Sequence, residues 1–249
     1  MVYAGLLILA LSAWAYMAYM GWAMQNMHLV EMWMPPSTES GAWRPYDFFM
    51  LFLMWAVMMI AMMTPSVMPM VSLFVTVSVR NQKNNHVVLD TFVFVSGYLL
   101  SWIFFSVLMS AAQYPLHLLG WLNPMMDSRS YLFSGSILLI AGLYQWTPLK
   151  DACLTQCRTP LQFLMTRWRN GTWGAMKMGM AHGTYCVGCC WALMAVMFSV
   201  GVMSVFWMVV IAFFVLAEKI SPYSAKVFRT VSGLGLVTWG SYWLSKYPW

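Results

Sequence analysis

No charged residue interrupts the chain between Asp47 and Arg80. In hydrocarbon every backbone N–H and C=O needs an internal partner, which leaves only helices and closed barrels. The stretch FFMLFLMWAVMMIAMMTPSVMPMVSLFVTVSV does not alternate apolar with polar residues as a barrel strand does. It therefore reads as helix. It is longer than the ~20 residues that one crossing needs. Pro65 and Pro69 fall inside it, where proline removes a backbone hydrogen bond and bends a helix.

Comparable apolar runs recur along all 249 residues, and only 8% of the residues are charged, against roughly 25% in soluble domains. The expected fold is an all-α, polytopic transmembrane helix bundle forming a single integral membrane domain. About seven membrane helices are expected, near residues 3–24, 47–79, 87–112, 130–146, 174–200, 204–217 and 226–244, with a basic cytoplasmic loop over 147–173. No basic stretch precedes the first segment, so it reads as a retained helix rather than a cleaved signal.

Basic residues orient the bundle. Arg80 and Lys83 follow the second segment. Lys150, Arg158, Arg167, Arg169 and Lys177 follow the fourth, and Lys219, Lys226 and Arg229 the sixth. Arg44, Arg129 and Lys246 fall in the alternate loops. The positive-inside rule then places the N-terminus in the cytoplasm and the C-terminus outside, in an inner or cell membrane. The loops with Glu31, Glu39 and Asp127 face out. No basic run with interleaved aromatics appears, so the lipid bilayer is an expected partner and nucleic acid is not.

The fifth segment contains GTYCVGCCW, Gly183 to Trp191. At about 100° per residue, His182, Cys186, Cys189, Cys190 and Met197 share an arc of roughly 100°. Gly179, Gly183 and Gly188 accompany them and allow a neighbouring helix to come close. Cysteine also packs as a small hydrophobe, so this strip is either core or a row of soft ligands. A redox pair, Cys186 with Cys189, is a further reading. It needs a cation or a helix N-terminus to favour thiolate, and no fixed cation is expected in mid-helix.

In the second segment Met50, Met54, Met58 and Met62 recur every four residues, and Met59 and Met63 broaden the stripe. Methionine fills irregular core gaps, so the stripe alone is no site. Its depth below the outer surface matches that of the cysteines. The two groups are expected to meet near mid-membrane, between the second and fifth segments. Thiolate and thioether ligands select Cu(I), and imidazole also accepts copper. The expected ligands are Cys186, Cys189, Cys190 and His182, with Met58, Met59, Met62 and Met63 lining the cavity.

Two further groups are candidates. Met24, Met27, His28, Met32 and Met34 in the first outer loop form either a copper-capturing segment or an interfacial one. Cys153 and Cys157, four apart, share a face if helical, as a second soft-metal station or as buried thiols. Cys153→Ser is accordingly expected to leave the mid-membrane site loaded. Asp47, Asp90, Asp151 and Glu218, like the three acids in the outer loops, lie near segment ends or in loops. Intramembrane carboxylates usually mark proton relays, so a proton-coupled pump is disfavoured, as is a carboxylate-bridged di-iron oxygenase. His86 and His117 are expected on the polar surface.

MWAVMMIAMMTPSVMPM, LKDACLTQCRTPL and GTYCVGCCWALMAVMFSVGVM, in that order, resemble the family described as predicted metal-binding integral membrane proteins. The resemblance spans Phe48 to Met203. It implies a membrane location and metal, with copper handling as the associated role, at Cys186, Cys189, Cys190 and the paired methionines of the second segment.

The expected function is binding of Cu(I) for delivery, storage or passage to a periplasmic or membrane cuproprotein, a binding role rather than catalysis. Three alternatives stay open: an accessory subunit of a copper-dependent membrane oxygenase or oxidase, a membrane thiol–disulfide oxidoreductase, and a plain structural bundle.

Overall fold

A computed structural model describes residues 2–26, 28–29, 33–36, 43–81, 86–123, 126, 128–220 and 225–246. Met27, Glu31, Met32, Glu39, Lys83 and Asp127 lie outside these. The described residues form ten helices in order: α1 (Val2–Gln25), α2 (Pro45–Asn81), α3 (Val87–Leu118), α4 (Tyr131–Tyr144), α5 (Pro148–Arg158), α6 (Pro160–Arg167), α7 (Gly171–Ala195), α8 (Met197–Val200), α9 (Val205–Ile220) and α10 (Ala225–Ser245). The all-α expectation holds for them. α2 stays one helix through both prolines.

Four helical spans are long and apolar enough to cross a membrane: Tyr3–Gln25, Pro45–Arg80, Val87–Leu118 and Gly171–Val200. A fifth is added if α4 and α5, bent by 64° at their junction, count as one broken span. The expected count of seven is not reached by length and composition. α4 has 14 residues and α9 has 16, short of a full crossing, and α10 does not pass on apolarity. The expected basic loop over 147–173 also folds differently. Thr147 caps α5 by accepting from the Lys150 N–H, and Pro148 opens the helix. The same stretch goes on to form α6.

Glycine sets the closest helix contacts. A Cβ on Gly179 of α7 would stand 2.0 Å from the Phe94 carbonyl oxygen of α3, and one on Gly183 would stand 2.8 Å from that of Tyr98. Gly97 of α3 answers with 2.4 Å to the Met176 carbonyl oxygen. Small residues allow this backbone approach where lipid supplies no hydrophobic drive. The spacing of Gly179 and Gly183 had pointed to such a face, and α3 is the helix that fills it.

The interior is apolar, with Trp55, Met58, Met59, Met62, Met63, Phe74, Phe94, Tyr98 and Trp102 all buried. Buried polar groups are mostly paired. The Trp55 indole donates to Gln113 at 2.7 Å, and Gln113 lies 3.3 Å from His117. His117 is thus a buried member of the last turn of α3, because that helix runs past its expected end; His86 is exposed as foreseen.

One ion pair is wholly interior. Lys150 at the start of α5 meets Glu218 of α9 at 2.8 Å, with both side chains 1% exposed, and also donates to Gln145 at the end of α4. It closes the α4–α5 bend onto α9. Breaking such a pair from one side strands a buried charge at a cost of about 3–5 kcal/mol, whereas replacing both partners is close to neutral. Lys150→Met should therefore unfold far more readily in mild detergent than Lys150→Met/Glu218→Met. Equal stability of the two would contradict a charge-paired corner.

Candidate metal centre

The thiols of α7 are buried as a group, with Cys186, Cys189 and Cys190 each 1% exposed. Cys189 and Cys190 donate back to the Cys186 carbonyl at 3.1 and 2.9 Å. Their neutral thiols thus satisfy a backbone acceptor one turn away. Cys186 itself points elsewhere, with its Sγ 3.1 Å from the Tyr98 hydroxyl of α3. That hydroxyl donates to the Met63 carbonyl of α2 at 3.3 Å. Three helices thus converge on one sulfur.

α5 brings a further thiol. Cys157 is within hydrogen-bonding reach of both Cys186 and Cys189. The approach depends on Gly188, whose added Cβ would stand 2.8 Å from the Cys153 sulfur. The Tyr144 hydroxyl donates to the Gly188 carbonyl at 2.5 Å and fixes the same corner. Cys153 and Cys157 are both partly buried. Cys153 and Cys157 read from sequence as either a second soft station or buried thiols. The structure instead folds Cys157 into the α7 cluster and leaves Cys153 at its edge, because 147–158 turns back as a helix.

The cluster also has a cation. Lys219, in the last turn of α9, places its ammonium 2.9 Å from the Cys186 sulfur and 3.0 Å from the Ser66 hydroxyl of α2. The expectation that no fixed cation lies near the thiols is therefore corrected. Lys219 sits 33 residues from Cys186 in sequence, and it arrives there because the turn after α8 folds α9 back along α7. Sequence reasoning had read Lys219 as a loop residue that marks orientation.

His182 lies one turn before Cys186 and is 3% exposed, with its ring against Phe94, Tyr98 and Phe163. Its Nδ1 has no hydrogen-bond partner among the described residues. Of the methionines in α2, Met63 is tied most closely to the centre, its Sδ 4.0 Å from the Ser66 hydroxyl. Met58, Met59 and Met62 are buried in the surrounding core. His28 is exposed beyond the end of α1. That end packs beside Val205, where α9 begins, and Lys219 is roughly 20 Å further along α9. His28 and the thiol centre are distinct places.

Among the described residues, no three His, Cys, Asp or Glu side chains converge as a closed metal site requires. What the centre offers is paired sulfur, together with the thioether of Met63. Such donors suit a soft monovalent ion of low coordination number better than a hard or tetrahedral one.

A family model described as copper chaperone matches residues 52–243, from α2 almost to the end of α10. The chain belongs to this PpoB2 copper chaperone family. The match takes in all five cysteines, Lys219 and the methionines of α2 from Met54 onward. A copper-related role follows from membership. No curated protein and no solved structure matches the chain.

The α5–α7 contact is directly testable. Trypsin releases Cys153 and Cys157 on Asp151–Arg158, and Cys186, Cys189 and Cys190 on Met178–Lys219. Mild oxidation of a Cys153→Ser variant should join these two peptides through Cys157. Oxidised Cys186–Cys189 with Cys157 left free would contradict the arrangement.

Proposed function

We propose that the protein is an integral membrane copper chaperone that holds Cu(I) as cargo between α5 and α7. The observation that carries this reading is the meeting of Cys157 with Cys186 and Cys189 in an apolar interior. Soft sulfur in such surroundings favours Cu(I) over zinc or harder ions, and membership of the copper chaperone family supports the choice of metal. Cys186 and Cys157 are the two cargo thiolates, with Cys189, a neutral thiol on the Cys186 carbonyl, beside them, and Met63 of α2 is the thioether on the Ser66 side. Cys190 and His182 stand beside them on the same face of α7, and Met58, Met59 and Met62 form the wall.

Cys153, partly buried at the edge of the cluster, is the transfer thiol through which the ion passes to or from the surface. By the positive-inside rule the side of the bundle that carries Arg158, Arg167, Arg169 and Lys177 in sequence faces the cytoplasm. The recipient is a membrane or periplasmic cuproprotein. His28 belongs to the opposite face.

A second reading is thiol–disulfide exchange. It is favoured by one observation, the Lys219 ammonium beside Cys186 with Cys157 in reach. A nearby cation and a resolving cysteine are what a nucleophilic thiol uses. Metal analysis separates the two.

Reduced, detergent-purified protein supplied with Cu(I) should retain stoichiometric copper. Cys157→Ser and Cys186→Ser should each lose most of it, and Cys153→Ser should retain it but exchange more slowly with a soluble chelator. Copper held equally by the native protein and by Cys157→Ser/Cys186→Ser would refute the assignment.

A further inference from the structure

A lysine beside a metal centre demands explanation, because an ammonium repels a cation. Lys219 is directed at the cluster and engages Cys186 and Ser66. The neighbouring acid does not neutralise it, since Glu218 is taken by Lys150. The other ion pair among the described residues, Arg229 with Asp151, lies elsewhere. The groups packed around the Cys186 sulfur from α2 and α3, Ser66 and Tyr98, are neutral hydroxyls. The Lys219 charge therefore looks to the thiols for compensation.

We infer that Lys219 is the built-in counter-charge of the cargo and selects a monovalent ion over a divalent one. This rests on the copper reading above. Metal binding displaces the thiol protons, so two thiolates around Cu(I) carry one net negative charge. The Lys219 ammonium cancels that charge, and the loaded centre is neutral inside an apolar bundle. The same two thiolates around Zn(II) are already neutral, and the half-buried ammonium is left uncompensated at the centre. A third thiolate would reverse this balance, but no three such groups converge among the described residues. Cys189 and Cys190 spend their protons on the Cys186 carbonyl. Unpaired charge in a poorly polarisable interior is costly enough to decide between ions of similar ligand preference.

The test is a competition between Ag(I), a redox-inert stand-in for Cu(I), and Zn(II) on reduced, metal-free full-length protein, read by elemental analysis. Lys219→Met should lower the retained Ag(I):Zn(II) ratio on the order of tenfold or more. Lys219→Arg, which keeps the charge, should hold the ratio near native. A purely structural lysine predicts that both variants lose both ions together, and that outcome overturns the inference. So does an unchanged ratio in Lys219→Met. Should that variant not fold, Lys219→Gln removes the charge while keeping a donor for Ser66, and the same criterion applies. Native protein that retains neither ion removes the copper reading as well, whereas an unmoved ratio in a protein that does bind metal removes only the role of Lys219.

Discussion

Two adjacent side chains of opposite charge, buried Glu218 and half-buried Lys219, lie in the last turn of α9, where apolar surroundings favour pairing of both. Glu218 draws in Lys150 and with it the start of α5. Lys219 reaches Cys186 of α7 and Ser66 of α2. Neighbouring positions on a helix project about 100° apart, so one turn of α9 ties together helices on two of its sides. The bend between α4 and α5, the docking of Cys157 and the position of the thiol cluster all follow from satisfying that pair of charges.

Steric permission comes from glycine. Gly179 and Gly183 let α3 press Tyr98 against the thiols, and Gly188 admits Cys153 and its helix. The functional chemistry then depends on what those approaches bring together: sulfur from two helices, a hydroxyl from a third and an ammonium from a fourth. None of these groups does much alone. A buried cysteine is an ordinary core residue, and a lysine at a helix end complements the helix dipole. Their convergence is what sets the centre apart from packing.

Much of this was legible in the chain. The charge-free run after Asp47 predicts a long helix, and α2 is one. The arc of His182, Cys186, Cys189 and Cys190 follows from helical pitch, and all four side chains are buried on α7. The glycine face was readable for the same reason, because periodicity reports which residues share a side of one helix. It does not report which helix comes to that side. Lys219 looked like a loop cation and Cys157 like a separate station, because their partners lie 33 and 29 residues away on Cys186, across chain reversals that leave no periodic trace. The expected count of about seven spans is also not reached, for a physical reason. α4 and α9 are too short for a full crossing and α10 is too polar, and helix ends are set by caps and turn residues that hydropathy does not report.

The most direct test of the central claim is X-ray absorption at the copper edge on reduced, Cu(I)-loaded protein in detergent. Cargo held between α5 and α7 predicts a low-coordinate first shell made of sulfur, with a Cys157→Ser variant losing one sulfur from that shell. A shell of nitrogen and oxygen, or one that Cys157→Ser leaves unaltered, would contradict it.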